Sequence, residues 1–138
     1  MGEKKTFQGS TISLITQLFG TFMSGQACIA MLRGIGIEDV LQEMPEKRNK
    51  VLQEEDIINN LKLAGINVGA LQEVKKGWRK CLLKEDGYIV VKIIFKQYCH
   101  WCLMHKGNIY DPLFTSVRFR FSGRPAAFMQ IHPNPEGE

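Results

Sequence analysis

Three residues far apart in the chain, Ser24, His100 and Asp111, have the types and settings of a proton-transfer site. Ser24 opens the run Ser24-Gly25-Gln26-Ala27-Cys28-Ile29-Ala30-Met31-Leu32, in which nearly every side chain is small or apolar. Such a run reads as a helix buried on most sides, with Gly34 as its stop. The first turn of a helix carries unpaired N–H groups and partial positive charge. These lower the pKa of a thiol placed there and stabilise an oxyanion that forms nearby. His100 offers an imidazole that can take a nucleophile's proton. Asp111 offers a carboxylate that can hold the imidazole's tautomer and orientation. Lys106-Gly107-Asn108 between them is tight-turn chemistry, which makes His100 and Asp111 neighbours across two paired strands.

Taken singly, each residue has a plainer reading. His100 fits a core histidine satisfied by a backbone carbonyl, and Asp111-Pro112 fits an ordinary strand end. Cys28, one turn beyond Ser24 on the same helix face, fits a small buried core residue. Cys99 and Cys102, with His105 nearby, suggest zinc. In a strand, however, the two thiols point to opposite faces, and no second cysteine pair completes four ligands. No metal and no cofactor is expected.

The elements that must position these residues change character along the chain. Residues 1–16 read as a wrapping segment. Helices are predicted at Ile37–Met44, Glu54–Ala64 and Val68–Leu83 from apolar residues at helical spacing. Strands follow at Tyr88–Phe95, His100–His105, Ile109–Asp111, Ser116–Phe121 and Ala126–Ile131, and residues 132–138 read as a loose tail. Helices first and strands second predict one α+β domain over residues 1–138, with N-terminal helices packed on a C-terminal antiparallel sheet.

Composition sets outer limits. The chain has 138 residues, a formal net charge of +4 and four cysteines. Its Lys and Arg are scattered and accompany no nucleic-acid-binding motif, so nucleic acid is not an expected partner. No apolar run reaches the roughly 18 residues of a membrane span. The polar start carries no Sec-type signal, so a cytoplasmic protein, or one secreted by another route, with reduced thiols is expected. Oligomeric state is not legible.

With these residues in view, a family likeness emerges. The stretch Ser24–Leu32 resembles the Cys-Gly-x-Ala-Cys-x-Ala-Met segment of papain-like peptidases, and most closely that of the bacteriocin-leader-processing, double-glycine group. His100-Trp101 followed by Ile109-Tyr110-Asp111-Pro112 looks like that group's second motif. The likeness covers most of residues 17–112. It implies a papain-like fold and a thiol hydrolase acting on an amide bond, either as a peptidase or as a glutamine deamidase. A protein or peptide would be the substrate. A small free-standing version is similar, by analogy, to a bacterial toxin or effector. The likeness also implies roles: Ser24 at the nucleophile position, His100 as general base, Asp111 orienting it, Gln17 as oxyanion donor, and Gly25, Gln26 and Trp101 along the substrate cleft, although Gln26 also fits a structural residue and Trp101 fits packing beside the histidine.

The departure is at the nucleophile itself, where the family carries cysteine and this chain carries Ser24. A hydroxyl ionises far less readily than a thiol, and a helix terminus does not close that gap. Three readings stay open: an enzyme silenced by a Cys-to-Ser change, a natural pseudoenzyme, or, least in keeping with a hydroxyl nucleophile, an active serine variant. On either of the first two, the alternative function is an inactive module that binds a peptide or protein.

Overall fold

Apolar spacing in the first half of the chain resolves into three helices: α1 (Ser24–Arg33), α2 (Ile37–Glu43) and α3 (Glu54–Leu63). A computed structural model describes residues 12, 14–16, 22–77, 82, 87–96 and 98–132. Two of the helices start on an acidic residue that turns back to the chain. Asp39 Oδ2 accepts from the Gly36 N–H at 3.3 Å, and Asp56 Oδ2 accepts from the Gln53 N–H at 2.9 Å. These carboxylates satisfy amides that a helix start leaves unpaired.

The second half forms an antiparallel sheet from β1 (Asn67–Val68), β2 (Gln72–Glu73), β3 (Tyr88–Phe95), β4 (Tyr98–His105), β5 (Asn108–Tyr110) and β6 (Arg124–His132). The order is β1-β6-β3-β4-β5, with β2 also on β6. The fold is therefore α+β, with helices preceding and covering a sheet. The β4–β5 turn has Lys106 at φ 51° and Gly107 at φ 85°. Two consecutive left-handed residues are what a tight two-residue hairpin loop requires, and glycine meets that need without strain.

The sheet is buried on both faces. On one, Val90, Trp101, Leu103, Met129 and Ile131 pack against Ile29 and Leu32 of α1, Val40 of α2, and Ile57 and Leu61 of α3. On the other, Ile89, Val91, Ile93, Cys102, Met104 and Ile109 form a smaller core with Leu82. Ile12, Leu14 and Ile15 add to the helix-side core.

Two predicted elements are replaced. The segment expected as a helix over Val68–Leu83 instead supplies β1 and β2. Its amides bond to β6: Gly69 N–H to Gln130 O at 2.8 Å and Val74 N–H to Ala126 O at 3.0 Å. The open edge of β6 offers this chain partners that its own short apolar pattern cannot match. Within that prediction Leu82 is helical, and residues 78–81 and 83 lie outside the described residues. The alternation over Ser116–Phe121 does not make a strand. Only Arg118 bridges, exchanging both backbone bonds with Ile109, and Phe119 is 77 % exposed. Pro112 stops β5 after three residues, so little edge remains to pair with. Among the described residues no helix is long and apolar enough to cross a membrane.

Candidate functional site

Small residues at the start of α1 let that helix end press against β4. Ser24 is 3 % exposed, and its Oγ accepts the Trp101 backbone N–H at 2.9 Å. A Cβ at Gly25 would lie 3.0 Å from the Leu52 side chain, so glycine lets Leu52 pack closely against the start of α1. Met23 is the N-cap and makes no side-chain cap bond. Ala27 N–H is the first to close onto a helical carbonyl, Met23 O at 3.0 Å. The helix start therefore keeps the electropositive character that a developing anion needs.

His100 comes from β4, opposite Ile93. A register shift between Lys92 and Ile93 breaks the regular β3–β6 ladder beside it. Such bulges re-aim side chains near the ends of strands. His100 Nε2 lies 3.2 Å from Asp111 Oδ2 and 3.1 Å from Ser122 Oγ. Ser122 Oγ donates to Asp111 Oδ2 at 3.0 Å, and the Leu113 N–H donates to Asp111 Oδ1 at 3.0 Å. The Ser122 proton is thus spent on the carboxylate, and its oxygen is free to accept. Two acceptors around Nε2 assign the imidazole proton to that nitrogen. Nδ1 is left as the basic lone pair, with no hydrogen-bond partner among the described residues.

The predicted residues fall into three groups. His100 and Asp111 are in direct contact, and Ser24 and His100 line one cavity of about 350 Å³. The Ser24 hydroxyl oxygen is held by the Trp101 amide rather than by the imidazole. Gly25, Gln26 and Trp101, expected along the cleft, are packing residues instead and do not border the cavity. Gln26 Nε2 donates to Lys47 O at 2.9 Å and Lys50 O at 3.3 Å, and Trp101 Nε1 donates to Leu52 O at 2.9 Å. Both clasp the α2–α3 connection through their buried N–H groups, while the Gln26 Oε1 has no hydrogen-bond partner among the described residues. Gln17, the expected oxyanion donor, lies outside the described residues.

Ser122 was not singled out in the sequence. The only signal was the turn Ser122-Gly123-Arg124-Pro125. Its Gly123 sits so close to β3 that a Cβ would meet Ile94 O at 2.6 Å and Ile93 Cγ2 at 2.9 Å. That approach carries Ser122 to the imidazole.

The thiols of the described residues are protonated spectators. Burial, then the Asp111 charge, pushes Cys28 well above the ordinary thiol range. Burial, then Asp111 and Cys28, does the same for Cys102. Cys99 borders the cavity. Its thiol is raised by burial, with opposing contributions from Lys92, which lowers it, and Glu54, which raises it. Among the described residues no three His, Cys, Asp or Glu side chains gather as metal ligands do. No protein-family model and no curated protein matches this sequence.

Proposed function

We propose that this site is the frame of a papain-like amide hydrolase, and that with Ser24 in place it holds a peptide without cutting it. The observation that carries the reading is the imidazole of His100. Its Nε2 is fixed by Asp111 and Ser122, its Nδ1 is unengaged, and it shares a cavity with the first residue of α1. Asp111 and Ser122 bond to the same nitrogen, so Ser122 is a positioning residue rather than a nucleophile in line with the base.

A thiol at position 24 would stand at the helix start with the Trp101 N–H aimed at it. Both features favour the thiolate. The thiol proton would pass to His100 Nδ1, and sulfur would bond to the amide carbonyl carbon. The C–N bond would then break, with nitrogen leaving on the proton returned by the imidazolium. Water would release the resulting thioester. For the serine hydroxyl the same Trp101 amide donor is too little, because the alkoxide lies many pK units higher than a thiolate.

The test is Ser24→Cys treated with iodoacetamide near neutral pH, with labelled positions read by peptide mass spectrometry. We expect position 24 to react at least about tenfold faster than Cys99, and His100→Ala to remove that advantage. Equal reactivity with and without His100 in folded protein would refute the frame.

A further inference from the structure

We propose that the cavity beside His100 selects a peptide segment in which a bulky apolar side chain is flanked by carboxylates, the apolar group entering the cavity and the carboxylates pairing with Lys96 and Arg118. This rests on the reading of the site as a peptide-binding cleft, and it names the kind of peptide.

The walls give the first half. Phe22, Phe95, Tyr98, Leu113 and Phe114 line the cavity, and no charged side chain other than the titratable His100 and Cys99 does so. Phe22, Phe95, Tyr98 and Leu113 are also about half exposed. A volume of about 350 Å³ is at the small end of ligand sites, which span roughly 300–1,000 Å³. It has room for one or two side chains. Burying one aromatic or branched aliphatic group there removes apolar surface from water on both partners.

The rim gives the second half. Lys96 Nζ lies 5.5 Å from the ring centroid of Phe95, and Arg118 Cζ lies 3.9 Å from that of Phe114. Each cation is thus stacked on a wall of the cavity. Among the described residues neither forms an ion pair. The stretch of sequence that supplies most of the walls is rich in charge of the same sign. Between Tyr88 and His132 it holds the cations Lys92, Lys96, Lys106, Arg118, Arg120 and Arg124 and a single carboxylate, the buried Asp111. Glu54 also acts on the Cys99 thiol, but cations that outnumber the acids beside an apolar opening attract anionic ligands and repel basic ones. Stacking on the rings holds the cations in place and leaves their charge unneutralised.

The serine form of the protein is used as it stands, so binding is read without turnover. The probes are three end-blocked peptides, Gly-Asp-Phe-Asp-Gly, Gly-Lys-Phe-Lys-Gly and Gly-Asp-Gly-Asp-Gly, titrated while backbone amide NMR shifts are followed. We expect the acidic phenylalanine peptide to bind about tenfold or more tighter than either other peptide, shifting Phe95, Tyr98 and Leu113. Added salt should weaken it. The double variant Lys96→Glu, Arg118→Glu should reverse the order of the two phenylalanine peptides, and the milder Lys96→Gln, Arg118→Gln should abolish the difference with the spectrum still that of folded protein. Equal binding of the acidic and basic phenylalanine peptides would overturn the proposal. So would dodecanoate binding at the same amides when no peptide does. A reactive thiol in Ser24→Cys without acidic preference would sink this inference and leave the hydrolase frame standing. The converse result would do the opposite.

Discussion

The two faces of the sheet are covered by different means. One carries three helices, and its core holds the largest fully buried side chain, Trp101, along with Ile29, Leu32 and Leu61. The other carries a smaller core, on which Leu82 and, from the irregular chain between Asp111 and Gly123, Phe121 pack among the described residues, while Leu113, Val117 and Phe119 remain exposed. The candidate site draws on both. Position 24 arrives with the helices, while the partners of His100, Asp111 and Ser122, arrive with the irregular segment. Position 24 thus rests on dense packing. The imidazole of His100 and its carboxylate are set by hydrogen bonds, which act over short range and demand fewer buried contacts.

That contrast can be broken most directly by truncation. Trp101→Ala removes a fully buried ring and leaves Leu52 O without its donor. We expect a loss of about 3–5 kcal/mol in urea unfolding. Phe128→Ala, half-buried on the opposite face, should cost about 1 kcal/mol. Similar costs would mean that the faces are equally consolidated.

Thiol chemistry sharpens the comparison with smaller effects. Cys28 lies in the helix-side core and Cys102 in the other. Both folded thiols titrate above the ordinary value of 9.0. The stability each contributes is complete below that value and is lost as pH rises past it toward the folded-state pKa, because only the unfolded chain ionises there. Melting temperature should fall on the alkaline side, and less so in Cys28→Ala, Cys102→Ala. In slow native-state alkylation Cys102 should react before Cys28, and the reverse order would contradict the contrast of faces.

The smallest effect is expected at the rim of the helical layer. Arg33 donates to both carboxylate oxygens of Glu43, and Asn60 donates to one. These bonds, Arg33 foremost, hold the Glu43 carboxyl below its usual range. Its contribution is present above the ordinary carboxylate value and disappears as pH falls through the depressed one. Glu43→Gln should cost about 0.5 kcal/mol near neutrality, since the pair is partly exposed. The difference from the unsubstituted chain should close in acid. A persistent difference in acid would assign the effect to packing instead.

What was legible in the sequence follows from how local each signal is. α1, α2 and α3 announce themselves through spacing and stops, and β3 and β4 through β-branched and aromatic runs. The His100–Asp111 contact was legible because a short hairpin fixes it. The strands at Asn67–Val68 and Gln72–Glu73 were not, because their pairing depends on β6, some sixty residues away. Packing was one reading of Gln26 and Trp101 in the sequence, but the partners that hold them were hidden for the same reason. Each is decided by a carbonyl in the α2–α3 connection. Ser122 reaches the imidazole only because a turn without a Cβ lies against β3.

The bond from the Trp101 amide to Ser24 Oγ gives position 24 a second job as a latch between helix and sheet. Sulfur and oxygen can both accept there, whereas alanine would orphan a buried amide. In the proposed hydrolase frame, exchanging one chalcogen for the other would change reactivity while leaving the scaffold fastened, so a reactive and an unreactive form would differ by a single step that folding does not oppose.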